Sequence, residues 1–580
     1  MKSVIWLFLF FVSAKAQQFT KVTVGPFVNS PADSRTISWI DMNKDGFLDC
    51  YVTNGPSGGQ NNFLYINDGA GGFAAFSGDT IVKDGMPSDG ATWCDSDNDG
   101  DNDCYVANWY NTNNLFYTNN GDGTFTAQNG TIILSGGYCE VAAWGDYDND
   151  GLNDLFVTNS AGTNKNLLFH NDGSNMFTKV TTGSIVNDIN DSRACNWSDI
   201  DNDGDLDVFV CNESNQNEVI YENLGSGSFN KISLGALVNN GGKTMSSSWG
   251  DYDNDGDMDV FLANDQSPNA LFRNDGGFSF TKIITDTVSK TPGHSFGSSW
   301  SDIDNDGDID LYVTNSFFST SLYENYLYMN NGDGTFQRTN SGTIASHLDW
   351  SYGCAFGDYD NDGFQDLAVA TCRFNGSDRN NLLYHNDGNS NNHLTISLVG
   401  TQTNRSAIGT KVRVRAVING VPTWQMREVS SQTGQCGQND MRVHFGLGTS
   451  TQVDSLKIEW LSGNSQLFTN IPANQFITIT EGQVVAGIHE NEAISTLKVY
   501  PNPSKNKINI IHSLSFQKGD KIVIADSRGH EISVLSVAKK TKQIELELDH
   551  YQENSESIYF ISLVPISGNS KTTLKVLKLK

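Results

Sequence analysis

The chain has 580 residues, 37% of them hydrophobic, which is room for two to four domains with cores of their own. Its formal charge of −30 sets it against polyanionic partners, so nucleic acid is excluded as a ligand. The end of the chain differs, because residues 497–580 hold 13 Lys and Arg against 8 Asp and Glu.

Residues 1–16 read as a secretory leader. Lys2 precedes an apolar run from Val4 to Val12, and Ala14-Lys15-Ala16 forms a small-residue cleavage site before Gln17. The run is too short to span a bilayer, and no later stretch of about 18 apolar residues supplies a transmembrane segment. An exported chain is expected.

From Asp41 onward a nine-residue stretch, D-x-D-N-D-G-x-x-D, is written seven times at intervals of 51 to 56 residues. The oxygen-bearing sets are Asp41, Asn43, Asp45, Asp49; Asp95, Asp97, Asp99, Asp103; Asp146, Asp148, Asp150, Asp154; and Asp199, Asp201, Asp203, Asp207. The later three are Asp251, Asp253, Asp255, Asp259; Asp302, Asp304, Asp306, Asp310; and Asp358, Asp360, Asp362, Asp366. Position six is Gly in every copy, from Gly46 to Gly363. Oxygens at alternate positions can converge on one centre, and Gly permits the sharp turn that folds them inward. Two carboxylates about 4 Å apart repel by about 1 kcal/mol in water and about 4 kcal/mol at an effective dielectric of 20. Three or four of them in one loop therefore favour a bound cation. A flexible loop offering six or seven oxygens suits Ca2+ better than Mg2+, at the strength of extracellular modules, on the order of 10⁻⁴–10⁻³ M. Up to seven Ca2+ sites are expected, the first being the weakest because Asn43 replaces a carboxylate.

Each loop sits in a larger unit. An aromatic lies two residues before it (Trp39, Trp93, Trp144, Trp197, Trp249, Trp300, Phe356), and a short apolar run follows, such as Val208-Phe209-Val210. A second aromatic precedes an Asn by two, Gly follows that Asn by two, and Phe by six, as in Tyr221, Asn223, Gly225 and Phe229. Asn and Gly tolerate positive φ, so this half is a hairpin. No helical period or cap interrupts it. A four-stranded unit of about 50 residues repeated in tandem predicts an all-β, seven-bladed β-propeller over residues 17–393. The recurring aromatics are read as core contacts between blades. The seventh unit lacks its last strand, since Asn392 stands where Phe is due. Phe19-Thr20-Lys21-Val22 copies Phe177-Thr178-Lys179-Val180, so the strand at 19–22 is expected to close the last blade.

These units resemble FG-GAP/VCBS repeats, the calcium-loop repeats of integrin-α-type propellers. Phe296-Gly297 before Trp300-Ser301-Asp302 is similar to the opening motif of that family. The resemblance covers residues 19–393 and implies fold and calcium sites; the family spans adhesion, ligand binding and some enzymes.

Residues 394–482 change to alternating strands with Gly turns, a small β domain. Asn404-Arg405-Ser406-Ala407-Ile408-Gly409, His444-Phe445-Gly446-Leu447-Gly448 and Ile458-Glu459-Trp460 resemble the ASPIC/UnbV domain of cartilage-acidic-protein-like chains. Gln435-Cys436-Gly437-Gln438 departs from the expected Gly-Tyr-x-Ser-Gln-like run. His444 and Arg405 are read as structural. Residues 483–496 form a linker. Tyr500-Pro501-Asn502-Pro503 then opens a β-rich segment, 497–580, with a basic final strand. That segment resembles the type A sorting domain of the type IX secretion system, an Ig-like β-sandwich. The resemblance implies a Bacteroidetes-type bacterium, recognition by the secretion machinery, and an outer-membrane cell-surface or secreted product.

Nine cysteines accompany the repeats. If each loop joins two antiparallel strands, Cys94 and Cys104 flank one loop symmetrically, as do Cys195 and Cys211. Disulfides Cys94–Cys104 and Cys195–Cys211 are expected, with Cys354–Cys372 as a third; Cys50, Cys139 and Cys436 stay unassigned.

No catalytic constellation emerges. Gly55-Pro56-Ser57-Gly58-Gly59 matches G-x-S-x-G without the strand-to-helix elbow that exposes a nucleophile, and the ten His show no metal-ligand spacing. The expected function is a calcium-binding propeller that adheres to an extracellular protein or glycan. The alternative is a carbohydrate-active enzyme, a polysaccharide lyase or hydrolase, using face loops that carry Trp109-Tyr110 and His294.

Overall fold

The computed structural model of the chain describes residues 19–133, 137–161, 165–225, 227–317, 321–339 and 342–483. Beyond these it describes 489–490, 497–500, 507–516, 518, 520–525, 531–539, 541–547, 557–564 and 572–578. The leader expected at 1–16 and most of the linker expected at 483–496 lie outside the described residues. The chain forms two compact units, Met1–Val485 and Ala486–Lys580.

The first unit repeats one antiparallel motif. In the fourth copy, strands Ser192–Ser198, Asp207–Asn212, Val219–Asn223 and Phe229–Ile232 pair in chain order, with the Asp199 loop joining the first two. The second strand is buried throughout, which is why Val208-Phe209-Val210 reads as a continuous apolar run rather than an alternating one. Inner strands Ser34–Ile40, Ser88–Cys94, Cys139–Gly145, Ser192–Ser198, Thr244–Gly250, Pro292–Ser301 and Ser351–Gly357 each pack against the next. The last packs back against the first, so the sheets close a propeller. The aromatics before the loops form this packing. Trp197 stacks on Tyr147 at 6.3 Å and donates its Nε1–H to Ala143 O, and Trp39 does the same with Tyr359 and Ala355 O across the junction of last and first sheets.

The N-terminal strand Phe19–Lys21 lies on the outer edge of the last sheet, paired with Leu382–Asn386. Its register, Phe19 opposite Asn386, repeats Phe177 opposite Asn171 and Phe280 opposite Asn274. Phe19 is buried there.

The β domain that follows packs on the propeller within the same unit. Asn392–Val399 lies between Val443–Gly448 and, in parallel, Gln475–Thr480. Lys411–Ile418 pairs with Val421–Glu428 and Gln452–Glu459, the latter with Ser465–Pro472. Between Glu428 and Val443 the chain leaves this domain and enters the propeller axis. Gly437–Gln438 pairs in parallel with Ile37 and Ser38, Gln435 N donates to Ser246 Oγ, and Ser431 Oγ donates to Trp144 O. The fit is close: a Cβ on Gly353 would stand 1.9 Å from Cys436 O. Gln435-Cys436-Gly437-Gln438 is thus the tip of a plug.

The C-terminal unit contains two antiparallel sheets. Leu497–Tyr500, Lys507–Phe516 and Thr541–Glu547 make one, and Glu531–Ser536, Lys521–Ala525, Ser557–Val564 and Thr572–Lys578 make the other.

The expected disulfides are absent. All nine cysteines are free and buried. The reason is register: Cys94 pairs with Asp103 while Trp93 pairs with Cys104, and Cys195 pairs with Val210 while Ala194 pairs with Cys211. An offset of one residue turns the two side chains to opposite faces of the sheet. Cys354 pairs with Val369, three residues short of Cys372.

Two outcomes follow for solution. Alkylation of the denatured, unreduced protein, read by mass spectrometry, should modify all nine cysteines, and a recovered Cys94–Cys104 peptide would contradict the register. Deleting residues 17–24 should destabilise the first unit by at least the burial of Phe19, about 1.5–3 kcal/mol, visible as a lower melting temperature.

Candidate metal centres on the loop face

Each Asp loop is shaped by its own carboxylates. In the sixth, Asp302 Oδ2 accepts from Gly307 N at 3.0 Å, Asp304 Oδ1 from Asp306 N at 3.2 Å and Asp306 Oδ1 from Asp308 N at 3.0 Å. The turn needs left-handed backbone at positions four and six, met by Asn305 (φ 56°) and Gly307 (φ 103°). The seventh repeats this, with Asp358 Oδ2 on Gly363 N and Asp360 Oδ1 on Asp362 N. In the first, Asn43 Nδ2 donates to Asp45 Oδ2 at 3.0 Å, a contact that a carboxylate at that place would make repulsive.

These bonds leave oxygens over. Asp95, Asp97 and Asp99 bring carboxylate oxygens within 4.8 Å of one another, as do Asp199, Asp201 and Asp203, and Asp146, Asp148 and Asp154. Among them, Asp95 Oδ1, Asp199 Oδ1 and Asp148 Oδ1 are buried and take no hydrogen bond; neither do both oxygens of Asp251 nor Asp253 Oδ1. Buried acceptors with no donor in reach are the deficit that a hard cation fills. Burial pushes the position-one carboxyls up, Asp95 to about 6, Asp146 to about 7 and Asp358 to about 8.

Position nine has a second duty. In all seven copies one oxygen accepts from the backbone N–H of loop position two and the other from the N–H of the recurring hairpin Asn. Asp207, for example, holds Ile200 N at 3.2 Å and Asn223 N at 2.8 Å. Buried in this way, its carboxyl rises to about 8 and that of Asp259 to about 9.

The Asn then carries the connection to the neighbouring blade. Asn223 Nδ2 donates to Tyr147 O, position two of the preceding loop, and to Leu206 O of its own; Asn223 Oδ1 accepts from Gly225 N. The same reach recurs from Asn119 to Met42, Asn171 to Ser96, Asn274 to Ile200, Asn330 to Tyr252, Asn386 to Ile303 and, closing the circle, Asn67 to Tyr359. The hairpin reading of this Asn was right for its turn and missed its cross-blade bonds.

Two histidines also escaped sequence reasoning. His170 Nε2 lies 3.1 Å from Asp148 and 3.7 Å from Asp150, and His385 Nδ1 lies 3.4 Å from Asp360. Both groups place ligand atoms within 4.8 Å of one another. In the repeat frame they occupy the residue before the Asn, where Ile66, Thr118, Glu222, Arg273 and Met329 stand elsewhere. That alignment was the available sign.

The β domain covers this face with cations. Lys411 Nζ lies 2.9 Å from Asp199 Oδ2, Arg405 Nε 3.4 Å from Asp95 Oδ2, and Arg442 Nη2 donates to Asp358 O. His444 Nε2 meets Asn305 Oδ1 at 2.6 Å, and Gly446 N donates to Asp302 Oδ2. His444 and Arg405 therefore bind the loops. His294 Nδ1 pairs with Asp265 at 2.7 Å, and Trp109 Nε1 donates to Glu140.

Comparison with known proteins agrees with the repeat geometry. The FG-GAP-like repeat model matches residues 41–106, 95–157, 146–210, 199–262, 251–313 and 315–369, more than half of the chain. The chain belongs to the FG-GAP-like repeat family. Behind its repeats, residues 400–486 match the ASPIC and UnbV family and 498–578 the secretion system C-terminal sorting domain. The sorting domain marks this FG-GAP-like protein for type IX export to the cell surface or extracellular space and implies contact with that machinery. No helix among the described residues is long and apolar enough to cross a membrane.

Cartilage acidic protein 1 of Xenopus tropicalis is 23% identical over 445 residues, 70% of this chain and 65% of the frog protein. Cartilage acidic protein 1 of Mus musculus is 24% identical over 266 residues, 44% of this chain and 40% of the mouse protein. The chain thus spans less than two thirds of either relative. Among solved structures, PorZ, a surface component of the type IX secretion system of Porphyromonas gingivalis, aligns at a TM-score of 0.39 and 9% identity, covering 95% of this chain and 60% of PorZ. A lectin of Aleuria aurantia aligns at 0.31 and 14% identity, covering 55% of this chain and 98% of the lectin.

Replacing Asn223 by Ala in this FG-GAP-like repeat should strand the buried carbonyls of Tyr147 and Leu206. A loss of about 2–4 kcal/mol in chemical denaturation is expected, against under 1 kcal/mol for an exposed Asn such as Asn239.

Proposed function

We propose that the chain is a seven-bladed, calcium-stiffened propeller that works outside the cell as a binding or adhesion protein. The supporting observation is the set of buried, unpartnered carboxylate oxygens at Asp95, Asp148, Asp199 and Asp251, repeated round the ring in loops already closed by their own hydrogen bonds. Positions one, three and five would hold Ca2+, with position nine adding an oxygen where it faces inward, as Asp154 does toward Asp146 and Asp148. In this reading calcium fixes the scaffold. Seven near-equivalent sites serve the ring as a whole, and the extracellular protein or glycan is met elsewhere on it.

Thermal melting with and without chelator tests the scaffold. Added Ca2+ in the millimolar range should raise the melting temperature by mass action, and chelation should lower it. The sign with pH is fixed by the raised carboxyls. A folded value of about 7 for Asp146 or about 8 for Asp207, above the ordinary carboxylate value of 3.8, gives a contribution to stability fully present below about pH 4. Without metal it is lost as pH rises through those folded values. Ca2+ replaces the protons, so its gain in melting temperature should grow from about pH 5 to about pH 8. A melt indifferent to calcium across that range would refute the reading.

A further inference from the structure

The seven Asp loops share a shape but not a donor set. The residue before the recurring hairpin Asn is His170 in the third blade and His385 in the seventh, and each lies against the carboxylates of its own loop. The residues at that place in the other five blades bring no neutral nitrogen.

His170 is held from behind. Its Nδ1 lies 3.0 Å from Asp172 Oδ1, and Asp172 Oδ2 accepts from Thr178 Oγ1 at 2.7 Å. The ring meets Tyr147 edge-on, with centroids 6.1 Å apart. A carboxylate on one imidazole nitrogen fixes ring and tautomer and leaves the lone pair of the other nitrogen to a metal. That other nitrogen, Nε2, lies 3.1 Å from Asp148 Oδ2 and 3.7 Å from Asp150 Oδ2. His385 stands in the same way against Tyr359, with centroids 6.2 Å apart. Its Nδ1 is 3.4 Å from Asp360 Oδ2 and 3.3 Å from Asp366 Oδ1, and Asp362 brings an oxygen within 4.8 Å of the same group.

The spacing separates a metal from a proton. With the ring proton on Nδ1 toward Asp172, Nε2 sets a lone pair against Asp148. A second proton would bridge that one contact. It would not engage Asp150, and it would leave Asp148 Oδ1 buried without a hydrogen bond. A metal ion reaches all three residues. Ligand atoms about 2.0–2.2 Å from a tetrahedral Zn2+ stand about 3.3–3.6 Å from one another. The contacts of 3.1 and 3.7 Å at His170 bracket that spacing, and those of 3.3 and 3.4 Å at His385 match its lower end. Ca2+ takes oxygen ligands, whereas imidazole beside carboxylates suits Zn2+ and its neighbours in the first transition row.

We propose that the third and seventh loops bind a divalent transition ion of the Zn2+ class in preference to Ca2+. His170 with Asp148 and Asp150 would hold one ion, His385 with Asp360 and Asp362 the other, and Asp172 would act as a positioning residue behind His170. The proposal rests on the reading of the Asp loops as cation sites and gives two of them a different ion. The test is equilibrium dialysis of the full chain in millimolar Ca2+ against micromolar Zn2+, with bound metal counted by elemental analysis. His170→Gln and His385→Gln should each remove about one Zn2+ per chain, and the double variant about two. Asp172→Ala, a change at a partly exposed side chain that touches no metal, should weaken the His170 site about tenfold or more. Co2+ bound in place of Zn2+ should show visible absorption that the double variant abolishes. Zn2+ uptake equal in wild type and variants, no uptake, or Zn2+ displaced by millimolar Ca2+ would overturn the proposal while leaving the calcium scaffold standing. A melt indifferent to Ca2+ in a chain that still holds its histidine-dependent Zn2+ would overturn the scaffold and keep these two sites.

Discussion

Crowding of like charge at one end of a ring is the constraint from which most of this structure follows. Seven loops place carboxylates on one rim, and at about 4 Å each pair costs about 1 kcal/mol even in water and several times that when half-buried. The molecule answers locally first: every loop turns backbone N–H groups onto its own carboxylates, as Gly307 and Asp306 do for Asp302. The next answer comes from neighbours, since the position-four residue reaches forward, Asn149 to Asp205, Asn202 to Asp257 and Lys44 to Asp101. The third is the β domain, whose Arg405, Lys411 and Arg442 lie on loop atoms. Arg427 is half-buried near Asp251, Asp302 and Asp308, which partly oppose the desolvation that pulls its own pKa down. That charge complementarity, with the axial plug, accounts for propeller and β domain forming one compact unit.

The cross-blade Asn bonds give the ring its cooperativity. Linear repeat proteins can fray from an end because each repeat touches only its neighbours. Here the chain of contacts from Asp at nine to Asn to the preceding loop returns from Asn67 to Tyr359, so the interface series has no terminal member. The N-terminal strand does the same for the sheet edges, seating Phe19 opposite Asn386 where every other sheet seats its own Phe. Removing one link exposes a buried carbonyl and a strand edge together, which couples local damage to the whole ring.

Much of this was legible because the repeat made it redundant. The D-x-D-N-D-G loop, the aromatic two residues before it and the Asn-x-Gly hairpin occur in register often enough to separate pattern from composition, and the strands fall where that pattern puts them. What stayed hidden depended on a one-residue register or on chain segments far apart in sequence. Cys94 and Cys104 flank their loop symmetrically in sequence, yet the loop closes with Cys94 opposite Asp103, and one step is enough to separate the sulfurs. His170 and His385 sit beyond the loops they face and join them only through strand pairing. The plug, carried by the stretch that departs from its family's pattern, gives no periodic sign at all, because its partners are scattered backbone and side-chain atoms of the propeller such as Ile37 N, Trp144 O and Ser246 Oγ.

Sequence variety is distributed unequally between the two ends of the inner strands. Toward the loops the strands end on nearly identical residues, since each must present the same aromatic, the same carboxylates and the same Gly to its neighbours. Toward the other end the bulge positions carry Arg, Asp, Glu, Arg, Met, Phe and Tyr in turn. At its axis the ring gathers two guanidiniums, two carboxylates and a phenol, where desolvation is costly and removal of any one partner strands another. With the loop rim occupied by the β domain and the plug closing the channel from that side, the bulge end carries an unlike set of side chains, of which Asp89, Glu140, Arg193, Met245, Phe296 and Tyr352 are buried. The near-identity of the loops and the diversity of the bulges are two parts of one arrangement: the repeated rim makes a frame that holds unlike charges in fixed positions against one another.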